Sequence, residues 1–461
     1  MKPLQPFVGI VTLARATGEG LSVPDATTLL HRYAYVKQRL AITAALFLPS
    51  TPEWEAKGAL ALHGWIDGDH AALLYARIAE MREPPPGPWD IPDPALQVAL
   101  DEVHAAATTS ARLGALYGAV RPALRAALSI YLELTNHLCD QPTVRLLRTI
   151  VFEEADLVDR WTDRIALDDA EAMEWSRHIR ACLGAAGGVT GLEARTDAPA
   201  PRFRPPYVVD AMPRRDPRFS GLYDTSTPAD VVYLDDTRPA DERNAALMFK
   251  RLREMDVPEV VAGIVAERWA DERNAGRREL PWSYYTGMLR QMWDEARHAM
   301  LGQALMESKG IDWTTLPVNV TFSWKLARYC SPLERHILLY AIEQSLMPRD
   351  RGKPYEHRVA SESGDSLSML FHDYDWADEV LHVDIARRCL KPELEGGLNA
   401  ARRQADALWS RIAEALERDP MPIEGNPERV KDWWPRFAKE VLGRDVAPVP
   451  ETSVKDWRPL D

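Results

Sequence analysis

Residues 292–300 read MWDEARHAM. Four of these nine side chains, Asp294, Glu295, Arg297 and His298, are charged or titratable, yet the apolar residues around them recur at helical spacing. Positions three and four apart share one face of a helix. Met288, Met292, Glu295, Ala299, Gly302 and Met306 therefore form one stripe, with His298 a turn from Glu295. An isolated carboxylate in such a seam is costly to bury unless it is paired or bound to a metal.

A second copy lies downstream. In YDWADEVLHVDIA, Glu379 and His382 have the same spacing, and Trp376, Val383, Ala386 and Leu390 carry the apolar stripe through Glu379. With 11 histidines in the chain, chance supplies about one Glu-x-x-His match, so the weight falls on the shared burial pattern and on the aspartate before each glutamate, Asp294 and Asp378. Two further glutamates sit on apolar faces: Glu267 with Val260 and Ile264, and Glu343 with Leu339, Tyr340, Leu346 and Met347. The order is then Glu267, Glu295-x-x-His298, Glu343, Glu379-x-x-His382. One glutamate from each of two helices and one Glu-x-x-His from each of two others is the ligand set of dinuclear carboxylate sites in four-helix bundles. Carboxylates bridge hard cations, each imidazole gives one ion a neutral nitrogen, and four carboxylates nearly neutralise two divalent ions. Glu259, two turns before Glu267, is the alternative to it; His336, two turns before Glu343, reads as an ordinary helix histidine, with a place behind the ligands as the alternative.

Residues 256–391 resemble the ferritin-like di-iron carboxylate superfamily, and Asp294-Glu295-Ala296-Arg297-His298 resembles the DExRH motif of bacterial multicomponent monooxygenases and acyl-carrier-protein desaturases. The resemblance implies that Asp294, Arg297 and Asp378 lie behind the ligands and orient the histidines. The second copy departs from the pattern, with Leu381 where the arginine would stand. The stretch at about 309–330 fits the crossover of such folds.

The first half repeats the layout imperfectly. It holds Asp67-x-x-His70, Glu133 and Glu154; 87 positions separate Asp67 from Glu154, against 84 between Glu295 and Glu379. Leu157 stands where the second motif needs histidine, and the helix from Ala26 to Pro49 has no acidic residue. Residues 25–185 thus read as a duplicated bundle that has lost its metal.

Most of the chain reads as helix, with candidates at about 26–48, 52–82, 94–138, 142–160, 167–184, 256–275, 282–308, 331–347, 366–391, 398–418 and 427–442. Ser50-Thr51-Pro52-Glu53 and Ser331-Pro332-Leu333-Glu334 look like helix starts. The expected class is all-α, two tandem ferritin-like four-helix bundles with the N-terminal one degenerate. The domains would be 1–186, an irregular linker or lid at 187–244, the di-metal domain at 245–420, and a C-terminal helix with a proline-rich extended tail at 421–461. The abundant tryptophans, including Trp269, Trp293 and Trp376, read as core filling.

The net charge of −13 argues against nucleic acid or an anionic membrane as partner. No apolar run reaches the roughly 18 residues that span a bilayer. The N-terminus reads as mature sequence, and four scattered cysteines without a CxxC pair suggest neither disulfides nor an iron–sulfur or zinc site, which fits a reducing cytoplasm. The expected function is a non-heme di-iron (or Mn/Fe) oxidoreductase with two metal ions and O₂ as co-substrate. It would act on a small organic substrate by hydroxylation, desaturation, N-oxygenation or oxidative cleavage. No flavin or NAD fingerprint is present, so a separate electron donor is expected; a homodimer is compatible. The alternative is metal handling: ferroxidase, peroxide scavenging or iron storage. Ala299 and Gly302, small residues beside the ligands, are expected to leave room for substrate; at Gly302 the alternative is that the missing side chain permits close helix packing.

Overall fold

The computed structural model describes residues 4–87, 89–163, 165–219, 228–277, 279–317, 320–420 and 433–447, and is all-helical, with no strand among them. The chain forms two compact units. One comprises Met1–Phe47, Leu62–Val208 and Ala270–Thr286; the other comprises Leu48–Ala61, Val209–Trp269 and Gly287–Asp461. The 187–244 segment is therefore divided between them, and it is already helical at Pro228–Leu234 and from Ala240 onward. The proline-rich tail beyond residue 447 lies outside the described residues.

The first unit is built from α1 (Val23–Phe47), the Leu62 end of α2 (Trp54–Ala79), α3 (Pro94–Glu102), α4 (Thr109–Ala115), α5 (Arg121–Leu134), α6 (Gln141–Glu153) and α7 (Ala170–Ala185). From Arg32 to Phe47, α1 is buried on every side, polar Lys37, Gln38 and Arg39 included. A helix buried all round is a central one. Between α4 and α5 the chain widens into a π-turn at Leu116–Val120. Pro122 has no N–H to return to the preceding turn, which frees a carbonyl. The Gly118 carbonyl accepts instead from the Ser176 hydroxyl at 2.8 Å and from Arg180 Nη2 at 2.6 Å, tying α7 to this kink.

The second unit contains α8 (Pro228–Leu234), α9 (Ala240–Arg253), α10 (Val257–Ala275, to Trp269), α11 (Trp282–Ser308, from Gly287), α12 (Thr321–Tyr329), α13 (Pro332–Ser345), α14 (Lys353–Glu362), α15 (Ser366–Leu390), α16 (Leu398–Arg418) and α17 (Trp433–Leu442). A single 3₁₀ turn at Glu254–Asp256 joins α9 to α10. Pro258 explains the join, because it cannot donate to the carbonyl of residue 254 and the helical bonding breaks there. Helix α13 opens with a full capping box, Ser331 and Glu334 each bonding the other's backbone. The core gathers Phe249, Leu252, Met255, Ala299, Met306, Tyr355, Trp433 and Phe437. Trp269 is buried in the interior as expected, whereas Trp293 and Trp376 are half-buried.

At Gly302 close helix packing, not a cavity, is what the chain uses. A Cβ there would lie 2.2 Å from the Leu252 nitrogen and 2.6 Å from its Cα. The missing side chain lets the backbones of α9 and α11 meet, and it opens no substrate space; Ala299 is part of the packed core. This contact fixes the last turn of α9, two residues before Glu254 in the 3₁₀ turn that follows.

Candidate metal centre

Helices α11 and α15 carry the two Glu-x-x-His motifs inward, and all four side chains are buried. His382 Nδ1 is 3.3 Å from Glu295 Oε1, 3.3 Å from Glu379 Oε2 and 3.9 Å from Glu343 Oε1. Donor atoms of Glu295, Glu343, Glu379 and His382 all lie within 4.8 Å of one another, and those of Glu254, Glu295 and His298 form a second such group. Glu295 belongs to both: its Oε1 faces His382, and its Oε2 faces His298 Nδ1 at 3.6 Å. Glu343 comes from α13 and accepts from Gln291 Nε2 at 3.1 Å.

Five of the six expected ligands are thus brought together; Glu267 is not. Its carboxylate is part-exposed and pairs with Arg335 at 2.9 Å. The alternative, Glu259, is spent on Lys57, Arg215 and the Ser323 hydroxyl. The position falls to Glu254, which sequence reasoning missed because the 3₁₀ turn interrupts the helical period there. What marks it in the sequence is its place on the face of Leu247 and Arg251, seven and three positions earlier, a stripe that Pro258 then ends. Glu254 Oε1 forms an ion pair with Arg251 at 2.9 Å, while Oε2 is 3.7 Å from His298 Nδ1. His336 is buried on α13 but belongs to neither group.

The aspartates before the glutamates cross over. Asp378 of the second motif accepts from His298 of the first, Nε2 to Oδ2 at 3.1 Å. Asp294 of the first motif faces His382 Nε2 of the second at 3.5 Å. Arg297 bonds both aspartates, at 2.9 and 2.5 Å, and Arg290 adds a 2.7 Å bond to Asp294. One arginine pair therefore serves both motifs, so Leu381 leaves no gap in the outer layer. With Nε2–H given to Asp378, His298 Nδ1 turns a lone pair toward carboxylate oxygens, and lone pairs facing each other repel unless a proton or a cation stands between them.

The electrostatics say the same. Burial opposes charge on His298, yet Asp375, Asp378 and Glu295 raise its pKa to about 10. Burial likewise opposes charge on His382, but Asp294, Glu295 and Glu379 hold it well above the usual histidine value. Burial, together with the neighbouring Glu379 and Glu295, pushes the Glu343 carboxyl well above the usual range. The cluster draws in positive charge. His298 Nδ1 and Glu254 Oε2 are buried and make no hydrogen bond, so the donor set fits a pair of metal ions.

In the first unit Asp67, His70 and Glu154 also converge within 4.8 Å. Here protein cations lie between the acids. Lys37 Nζ is 2.7 Å from Asp67 Oδ1 and also bonds Glu154, and Arg121 Nη2 is 2.6 Å from Asp67 Oδ2. His70 Nε2 turns to Glu153 at 2.6 Å. Glu133 is exposed and takes no part.

Comparison with protein-family models, curated proteins and solved structures gives no match. Among the described residues no helix is long and apolar enough to cross a membrane, and the four cysteines are free.

Proposed function

We propose that the chain is an O₂-dependent non-heme oxidoreductase of the ferritin-like type, with α9–α10, α11, α13 and α15 as the four helices of its metal-binding bundle and the first unit as a degenerate copy. The observation that carries this reading is Glu295, which offers one oxygen to each of two imidazoles while Glu254 and Glu343 close the two sides. Two iron ions, or one manganese and one iron, would supply the redox chemistry that reduces O₂. The chain's own residues bind and orient: Glu254, Glu295, His298, Glu343, Glu379 and His382 hold, Asp294 and Asp378 aim the imidazoles, and Arg290 and Arg297 balance the aspartates. The buried setting keeps water from the centre.

Under this reading a small organic substrate is hydroxylated, desaturated, N-oxygenated or cleaved, in the cytoplasm, with electrons from a separate donor. The second reading, ferroxidase, peroxide scavenging or iron storage, is favoured by Gly302, where the space assigned to substrate is taken by the backbone of α9. Anaerobic loading with ferrous iron followed by O₂, with oxygen uptake and the optical spectrum recorded, separates the two. An oxygenase gives sustained uptake when a reductant and substrate candidates are supplied; a metal-handling protein gives one burst proportional to the iron added. No iron-dependent uptake at all sinks both.

A further inference from the structure

The centre contains a positive charge of its own. Lys353 opens α14, and its backbone N–H donates to the Leu346 carbonyl at 2.8 Å. A Cβ on the preceding Gly352 would lie 2.1 Å from that same carbonyl oxygen, so this tight turn holds the start of α14 in place. The side chain is buried. Its Nζ lies 2.7 Å from Glu379 Oε1, 2.9 and 3.0 Å from the two Asp375 oxygens, and 3.8 Å from Glu254 Oε1.

These partners cluster on one side. Glu379 Oε2 faces His382, whereas the oxygen that Lys353 holds is the other one, Oε1. Asp375 Oδ1 is 3.3 Å from His298 Nδ1, and His298, Asp375 and Glu379 form a further group with donors within 4.8 Å. Asp375, one turn before Glu379, is thus a fifth carboxylate at the centre beside Glu254, Glu295, Glu343 and Glu379, held by Lys353 and Arg251.

We propose that Lys353 is an internal competitor for the second metal ion: its ammonium occupies the carboxylates on the His298 side, and that ion binds only by displacing it from Glu379. This rests on the dinuclear reading of the site. A lysine on a flexible four-carbon stem is a mobile point charge, and like charges a few ångströms apart in a buried site repel strongly. The ion held by Glu295, Glu343, Glu379 and His382 then binds first. The ion held by Glu254, Glu295 and His298, which needs the Glu379 oxygen that Lys353 holds, binds second and more weakly. Lys353 keeps the metal-free protein folded around its excess of acids and makes the full pair form only when metal is plentiful.

The test is an anaerobic titration of the full chain with cobalt(II), followed by d–d absorption, alongside the melting temperature with and without metal. The wild type is expected to bind two ions in separable steps. Lys353→Met and Lys353→Gln should tighten the second step at least about tenfold while lowering the melting temperature of the metal-free protein. Added cobalt should then restore more of that stability than it adds to the wild type. The glutamine variant, which keeps a hydrogen-bond donor, decides the matter if the methionine variant does not fold. A second step unchanged or weakened in the folded variants, or two equal steps in the wild type, overturns the competitor role and leaves the dinuclear reading standing. A wild type that binds no cobalt overturns both.

Discussion

At the scale of single residues, the centre depends on which atoms are left without partners. Glu254 keeps one oxygen on Arg251 and turns the other toward His298, while Glu267 spends its charge on Arg335. Glu254→Ala is therefore expected to lose one of two ions, and Glu267→Ala to keep both, as elemental analysis after anaerobic reconstitution would show. Equal loss from both changes would contradict this assignment. Asp378 fixes His298 through one hydrogen bond, and removing such an outer partner typically weakens metal binding about 10–100-fold. Asp378→Asn should weaken binding by that order with the fold intact, judged by metal titration and circular dichroism. The sequence made the motif residues legible because each lies on an uninterrupted helical stripe. Glu254 was hidden because Pro258 breaks the period at its turn, and the stripe of Val260 and Ile264 then pointed to Glu267.

At the scale of elements, close approach and buried charge dominate. Gly302→Ala would push a methyl into the Leu252 backbone, and overpacking of this kind costs about 1–3 kcal/mol. The melting temperature should fall, and the ion next to Glu254 should weaken with it because α9 moves. A variant of unchanged stability would mean the helices are not in contact there. From sequence, a small residue beside a ligand reads equally as cavity or close contact, and Leu252, which decides it, is 50 positions away. In the first unit, removing Lys37 would leave two buried carboxylates short of a cation. Breaking such a network costs roughly 3–5 kcal/mol, which denaturant unfolding of Lys37→Ala would register.

The same network predicts an acid response. Burial raises the Glu154 pKa, but Lys37 and Arg121 outweigh it and hold the carboxyl at about 2, against 4.5 unperturbed. A depressed folded value gives stability that is present above the unfolded pKa and is lost as pH falls toward the folded one. The wild type should therefore lose stability between pH 4.5 and about 2 more steeply than Glu154→Gln in chemical unfolding at each pH. Among whole elements, α11 and α16 end where their apolar periods end, so their limits were legible. Helices α9 and α14 were not, since both are highly polar and follow segments rich in proline, arginine or glycine. Beside their apolar contacts, buried ion pairs join them: Lys250 and Arg251 on α9 meet Glu356 on α14.

At the scale of the whole molecule, the all-helical class was legible from composition and period, while the division of the chain was not. Contacts split α2, α10 and α11 between the two units, and no local feature of a continuous helix marks such a split. Both units place cations among the acids of an acid–histidine cluster, Lys37 and Arg121 in the first and Lys353 and Arg251 in the second. In the first they take both oxygens of Asp67, whereas in the second Glu254 Oε2 and His298 Nδ1, which face each other, are left without hydrogen-bond partners. The central claim is that one live dinuclear centre, in the second unit, results. Its most direct test is metal stoichiometry after anaerobic reconstitution with ferrous iron, measured on the wild type, Glu343→Ala and Asp67→Ala. The expected result is about two ions per chain in the wild type and in Asp67→Ala, and loss of the pair in Glu343→Ala. No bound iron in the wild type, or four ions with loss in Asp67→Ala, would contradict it.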